Sequence, residues 1–151
     1  MKDTKANLKR LSRLVQIRDT YVSVAETSVK QAEGEVRRLT TADEQTAGNI
    51  KHTQAEIAYL QTASGQDVHN SERYIRALKQ QRKLIQQSLE KARGNLERRH
   101  MEWTEAMREQ KIAEKLQERR LHQLEREDDT ARQKSQDDVS IGRYVRTRFE
   151  K

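Results

Sequence analysis

The sequence predicts an all-α fold, a long two-helix antiparallel coiled-coil hairpin, and three observations carry that prediction. Apolar residues recur at alternating steps of three and four along most of the chain, the 3.5-residue repeat that keeps one stripe facing a partner helix. Charged residues make up 36% of the 151 and apolar ones 32%, with 4% aromatic. An ordinary globular domain has about 25% charged and about 45–50% apolar residues, so this chain can fill a narrow seam but not a thick core. Proline, common in disordered tracts, is absent, and one break at Thr62-Ala63-Ser64-Gly65 divides the repeat in two.

The first arm carries its seam from Leu8, Leu11 and Val15 through Val29, Leu39 and Ile50 to Ile57 and Leu60. Of its 16 seam positions twelve are apolar, the exceptions being Arg18, Asp43, Thr46 and Thr53. Gly65 suits the left-handed position that ends a helix. Asn70 or Ser71 is placed to cap the next helix, with Glu72 in its first turn opposing the dipole. The second seam runs from Ile75 and Leu78 through Ile85, Leu89 and Leu96 to Trp103 and Ala106, with Arg82 and Arg99 as polar members. Beyond Ala106 the seam keeps Ala113 and Leu124 but also Gln110, Gln117 and Arg120, while Ile112, Leu116 and Leu121 fall off it. That loosening predicts a stutter near residues 107–116.

A short loop makes the arms antiparallel neighbours, so the numbers of facing residues add to a constant. Setting Leu60 opposite Ile75 gives 135, which pairs Ile57 with Leu78, Leu39 with Leu96, Asp43 with Ala92 and small Ala32 with large Trp103. The predicted organisation is a first arm over 1–63, a tip over 64–71, a second arm over 72–135 and a basic tail over 136–151. The tail overhangs the first arm and is frayed or ordered by a partner. Arms of roughly 60 residues correspond to about 90 Å of helix.

The composition excludes several classes. With no cysteine there is no disulfide, thiolate metal site or cysteine nucleophile. No apolar run approaches a membrane span, and the start Met1-Lys2-Asp3-Thr4-Lys5 lacks the apolar stretch of a secretory signal, so the expected compartment is cytoplasmic. His52, His69, His100 and His122 lack metal-ligand spacing, no phosphate-cradling glycine loop is present, and carboxylate pairs such as Asp137 and Asp138 sit in no cleft. No enzyme, metal or cofactor is expected. Gly34, Gly48 and Gly94 interrupt helical pattern, each at a cost of about 1 kcal/mol against Ala, and read either as soft points or as places of close backbone approach. Trp103 reads as seam core or as an interface anchor. Asp43 and Arg18 in the seam read either as register-fixing groups or as a segment able to splay.

The net charge of +7 is confined to the chain ends. Residues 1–20 hold six basic and two acidic groups, residues 132–151 six and three, and residues 21–131 nineteen of each. Aromatic residues are scarce and not interleaved with the basic ones, apart from Tyr144 and Phe149, so an acidic protein surface is a better complement to these ends than nucleic acid. On the residues alone, a coiled-coil scaffold or dimerisation module and a nucleic-acid-binding coiled coil stay open.

The second-arm string Glu114-Lys115-Leu116-Gln117-Glu118-Arg119-Arg120 resembles the FliJ family, the small coiled-coil component of the bacterial flagellar type III export apparatus. So does the ending Glu125-Arg126-Glu127, Gln133-Lys134, Asp137-Asp138 and Gly142-Arg143-Tyr144, and the opening from Leu8 to Glu26 is similar to the family's first arm. The resemblance implies a non-enzymatic protein, similar to the central stalk of rotary ATPases, that engages the hexameric export ATPase FliI. It further implies binding to the cytoplasmic domain of the export gate FlhA, contacts with export chaperones, and a place beside the inner membrane. Injectisome relatives share the hairpin, and the second-arm ending favours the flagellar branch. By analogy with the stalk, the end carrying both termini would contact the ATPase. Arg143, Arg146 and Arg148 extend the resembling ending there, and Lys5, Lys9, Arg10 and Arg13 are added on position and charge. Exposed residues near the tip, Tyr59, Val68 and Tyr74, are the expected gate contacts.

Overall fold

The computed structural model describes residues 2–59 and 65–150. Two helices account for every described residue except Glu150: α1, Lys2–Tyr59, with 58 residues, and α2, Gly65–Phe149, with 85. They pack against each other as an all-α helical hairpin, as the alternating repeat predicts. The chain divides into two compact units, one built from residues 1–23 with 105–151 and the other from residues 24–104.

In the second unit the seam is narrow. Val29, Ala32, Leu39 and Ile50 of α1 and Ile75, Leu78 and Leu89 of α2 are buried, with Ile57 packed on the cluster of Ile50, Ile75 and Leu78. No side chain falls below 2% exposure, because two helices can enclose a seam from two sides only. Thr46 and Thr53 are buried on the same stripe, and each hydroxyl donates to the carbonyl four residues back, Ala42 at 2.8 Å and Asn49 at 2.9 Å. Those back-bonds satisfy the hydroxyls within their own helix, so the threonines occupy the seam without an unpaired polar atom. Trp103 is half-buried on the seam; its indole N–H, itself buried, meets no acceptor, and its ring stands 6.0 Å from that of His100.

Several expectations are corrected. Helix α2 opens at Gly65, ahead of Asn70 and Ser71, and Asp67 rather than Glu72 lies in its first turn. No described glycine has a positive φ, so Gly65 starts a helix and is no left-handed cap. The predicted tip over 64–71 is therefore largely helical, while the pairing of Leu60 with Ile75 falls outside the described residues. The earlier start moves the register. Cross-arm bonds join Thr4 with Glu127 (adding to 131), Arg18 with Glu109 (127), Asp19 with Gln110 (129), Glu33 with His100 (133) and Asp43 with Arg82 (125). These bracket 128, the sum that keeps seam on seam one heptad away from 135. The arrangement therefore sets Leu39 level with Leu89 and Ile50 level with Leu78, and Trp103 level with Ala25 in place of Ala32.

The predicted stutter is absent from the first unit. Ala113 is 3% exposed and Gln117, Leu124 and Glu127 continue half-buried on the same stripe, while Ile112, Leu116 and Leu121 remain exposed. Nor is the tail frayed: α2 stays helical through Phe149. It outruns α1 from about residue 128, and every residue from Asp129 to Glu150 is exposed except the half-buried Gly142.

Three outcomes follow. Leu39→Ala removes a buried seam side chain and should destabilise the chain by about 2–4 kcal/mol in chemical denaturation, whereas Ile112→Ala should change dilute-solution stability by under about 0.5 kcal/mol. Cysteines placed at Leu39 and Leu89 should oxidise to a cross-link, and cysteines at Leu39 and Leu96 should not; the reverse result would restore the 135 register. Gly34 and Gly94 lie level across the seam, and a Cβ at either meets nothing within 4 Å. The double change Gly34→Ala with Gly94→Ala should therefore raise stability by about 1–2 kcal/mol, read from the denaturant midpoint.

Candidate functional site

Among the described residues the two packed helices present their side chains on open surfaces rather than in an enclosed cleft. The first unit holds both basic segments, Lys5, Lys9, Arg10 and Arg13 on α1 and Arg143, Arg146 and Arg148 on α2, but does not bring them together: Lys5 is level with about residue 123, and Arg143 lies about 20 residues, about 30 Å of helix, farther on. All seven are exposed. They differ in surroundings. Lys5 and Lys9 line a groove of about 580 Å³ together with Leu8, Ser12, Glu114, Gln117, Glu118 and Leu121, so carboxylates of the opposite arm stand beside them. Arg143, Arg146 and Arg148 project from the length of α2 that has no α1 beneath it, around the exposed Ile141, Tyr144, Val145 and Phe149. At 100° per residue, Ile141, Tyr144, Val145 and Phe149 share one stripe, Arg148 lies within it, and Arg143 and Arg146 lie behind.

Around the turn, in the second unit, Tyr59 is 91% and Tyr74 52% exposed, whereas Val68 is half-buried rather than exposed as expected. Beside Tyr74 lies a feature the charge count passed over. From Arg73 to Leu89 there are five basic residues and no acidic one. Arg82 turns into the seam to bond Asp43 at 3.0 Å, but Arg73, Arg76, Lys79 and Lys83 are exposed. Treating 21–131 as one neutral block averaged this local run away; a shorter counting window finds it.

The seam's polar members pair with each other rather than with the partners assigned by the 135 register. Asp43 meets Arg82 in place of Ala92, and Arg18 donates to Glu109 while its guanidinium lies 5.9 Å from the Tyr21 ring. These part-buried, cross-arm bonds favour the register-fixing reading of Asp43 and Arg18, since each reaches its partner in one heptad offset only. On the surface, hydrogen bonds from Arg38 at 2.6 and 3.0 Å hold the Glu35 carboxyl below the usual carboxylate range and raise Arg38 in turn. His52, His100 and His122 each lie beside one glutamate, and among the described residues no group of three or more His, Asp or Glu side chains is placed to hold a metal ion. No described helix is long and apolar enough to cross a membrane.

This hairpin, with its basic overhang and its seam continuing past Ala106, matches a sequence model of the flagellar FliJ protein over residues 7–148. The chain belongs to the FliJ family. The match spans both arms and all but the last residues of the overhang, so the resemblance carried by the second-arm ending extends through the whole hairpin. Membership makes the protein a component of flagellar type III protein export, in a family of non-enzymatic export components. No curated protein and no solved structure matches the chain.

Proposed function

We propose that this FliJ-family protein is the stalk of the export machine, a cytoplasmic coupling component held beside the inner membrane through its partners. Its overhanging α2 and the start of α1 engage the hexameric export ATPase FliI. The surface around Tyr59, Val68 and Tyr74 meets the cytoplasmic domain of the gate FlhA, and export chaperones dock on the coil. The observation that carries the reading is the overhang: about 20 residues of helix, exposed but for the half-buried Gly142, with Arg143, Arg146 and Arg148 and the exposed Val139, Ile141, Tyr144, Val145 and Phe149. A helix with such an unused apolar stripe is stable in isolation only marginally, and insertion into a partner's lumen would bury the stripe and pair the cations. The basic α1 start adds long-range attraction to an acidic lumen, which acts on the rate of encounter more than on final affinity.

The test is ATP hydrolysis and ring assembly by the cognate ATPase with and without this protein. The full chain should stimulate hydrolysis, and a chain lacking residues 141–151 should lose most of that stimulation. Replacing Arg143, Arg146 and Arg148 together by Glu should do the same and should flatten the salt dependence of binding. Stimulation that survives both changes would move the contact inward along the coil; absence of binding by the intact chain would end the stalk reading.

A further inference from the structure

The first unit carries a second apolar surface besides the overhang, on the face opposite the groove of Lys5 and Glu114. Arg18 marks it, reaching out of the seam to stack near Tyr21 on α1 and to bond Glu109 on α2. Helical periodicity places Ile17 and Leu14 on the same side as Tyr21, one and two turns earlier, and Ile112 and Leu116 on the same side as Glu109, one and two turns later. In the observed register these five side chains lie at one level of the hairpin. Ile17, Tyr21, Ile112 and Leu116 are between 41% and 56% exposed, and Leu14 is half-buried. Isolated exposed apolar residues are ordinary, but helical periodicity puts these five, from two helices, on one side of the seam, an apolar strip along the trough between the helices.

We propose that this trough receives the overhanging helix of a second copy of the chain, so that two molecules exchange residues 137–149 in a symmetric dimer. The inference does not rest on the stalk reading, but it uses the same apolar stripe, so one overhang cannot fill a second copy's trough and engage the ATPase at once. Three features of the chain select the occupant. The stripe Ile141, Tyr144, Val145 and Phe149 spans about 12 Å of helix, and Leu14 to Tyr21 spans about 10.5 Å. The same molecule cannot supply its own stripe, because α2 runs unbroken from Gly65 to Phe149 and Leu116 is separated from Ile141 by 25 helical residues. Charge sets the direction. Beyond the Arg18–Glu109 pair the trough has Glu105 at one end and Arg10 and Arg119 at the other, while the stripe has Arg148 within its last turns and Asp137 and Asp138 before its first. Opposite charges meet when the incoming overhang runs antiparallel to the α2 that receives it. Only that direction lets each molecule both give and receive, which closes a twofold dimer; the parallel direction would build an open chain.

Sedimentation velocity over a wide concentration range tests this on the full chain. The native protein should pass from monomer to dimer with no larger species. Ile112→Glu with Leu116→Glu, which spoils the trough, and Tyr144→Glu with Phe149→Glu, which spoils the stripe, should each weaken dimerisation at least about tenfold while leaving helical circular dichroism unchanged. Mixing these two variants should restore a heterodimer, because an intact stripe then meets an intact trough once. A chain that stays monomeric at every concentration, a dimer insensitive to both variants, or variants that fail to complement on mixing would each overturn the proposal.

Discussion

A hairpin of two helices has a single internal interface, and everything else in this protein depends on how that interface is registered. The apolar stripe supplies the attraction, but it is thin: its best-buried members retain several per cent of their exposure, and two of them are threonines that satisfy their hydroxyls within their own helix. A stripe of this kind holds the arms together at any offset of whole heptads. The specific offset is set where groups with direction and charge cross the seam, at Asp43 with Arg82 and at Arg18 with Glu109. Part-buried bonds of this type add little net stability, yet misplacing them by seven residues leaves a carboxylate against alanine, and that difference selects one arrangement from several.

The register decides what is left over. With the constant near 128, α1 reaches only to about residue 127 of α2, and a helical segment of some 20 residues extends past its partner. The same offset levels Leu14, Ile17 and Tyr21 with Ile112 and Leu116, turning apolar residues that look like faults in the heptad into a continuous surface. Family membership in flagellar export implies contact with the export apparatus, which directs attention to the exposed surfaces. The chain offers three chemically distinct ones: a basic and apolar overhang, an apolar trough bounded by charges of opposite sign, and the cation run from Arg73 to Lys83 beside Tyr74.

Much of this was legible in the residues. The two helices, their antiparallel pairing, the identity of the seam residues and the family all follow from periodicity, one break and a matching ending. Other features were misread for physical reasons. Ile112, Leu116 and Leu121 suggest a stutter on the sequence alone because a one-dimensional repeat has no place for apolar residues on a second face. Gly65 was assigned to a left-handed cap because glycine permits that conformation; it permits a helical start equally well. The cations after Tyr74 were hidden by counting charge over too long a span.

By itself the sequence determined which residues face inward, because a stripe spaced at 3.5 residues has only one way to keep out of water. It did not determine which inward residue meets which, because sliding one arm by seven residues presents the same stripe to the same stripe and changes the hydrophobic free energy little. Only the tertiary structure decided that, through the start of α2 at Gly65 and the reach of four charged side chains across the seam. With that choice came the length of the overhang and the alignment of the trough, the two features on which the proposed contacts rest.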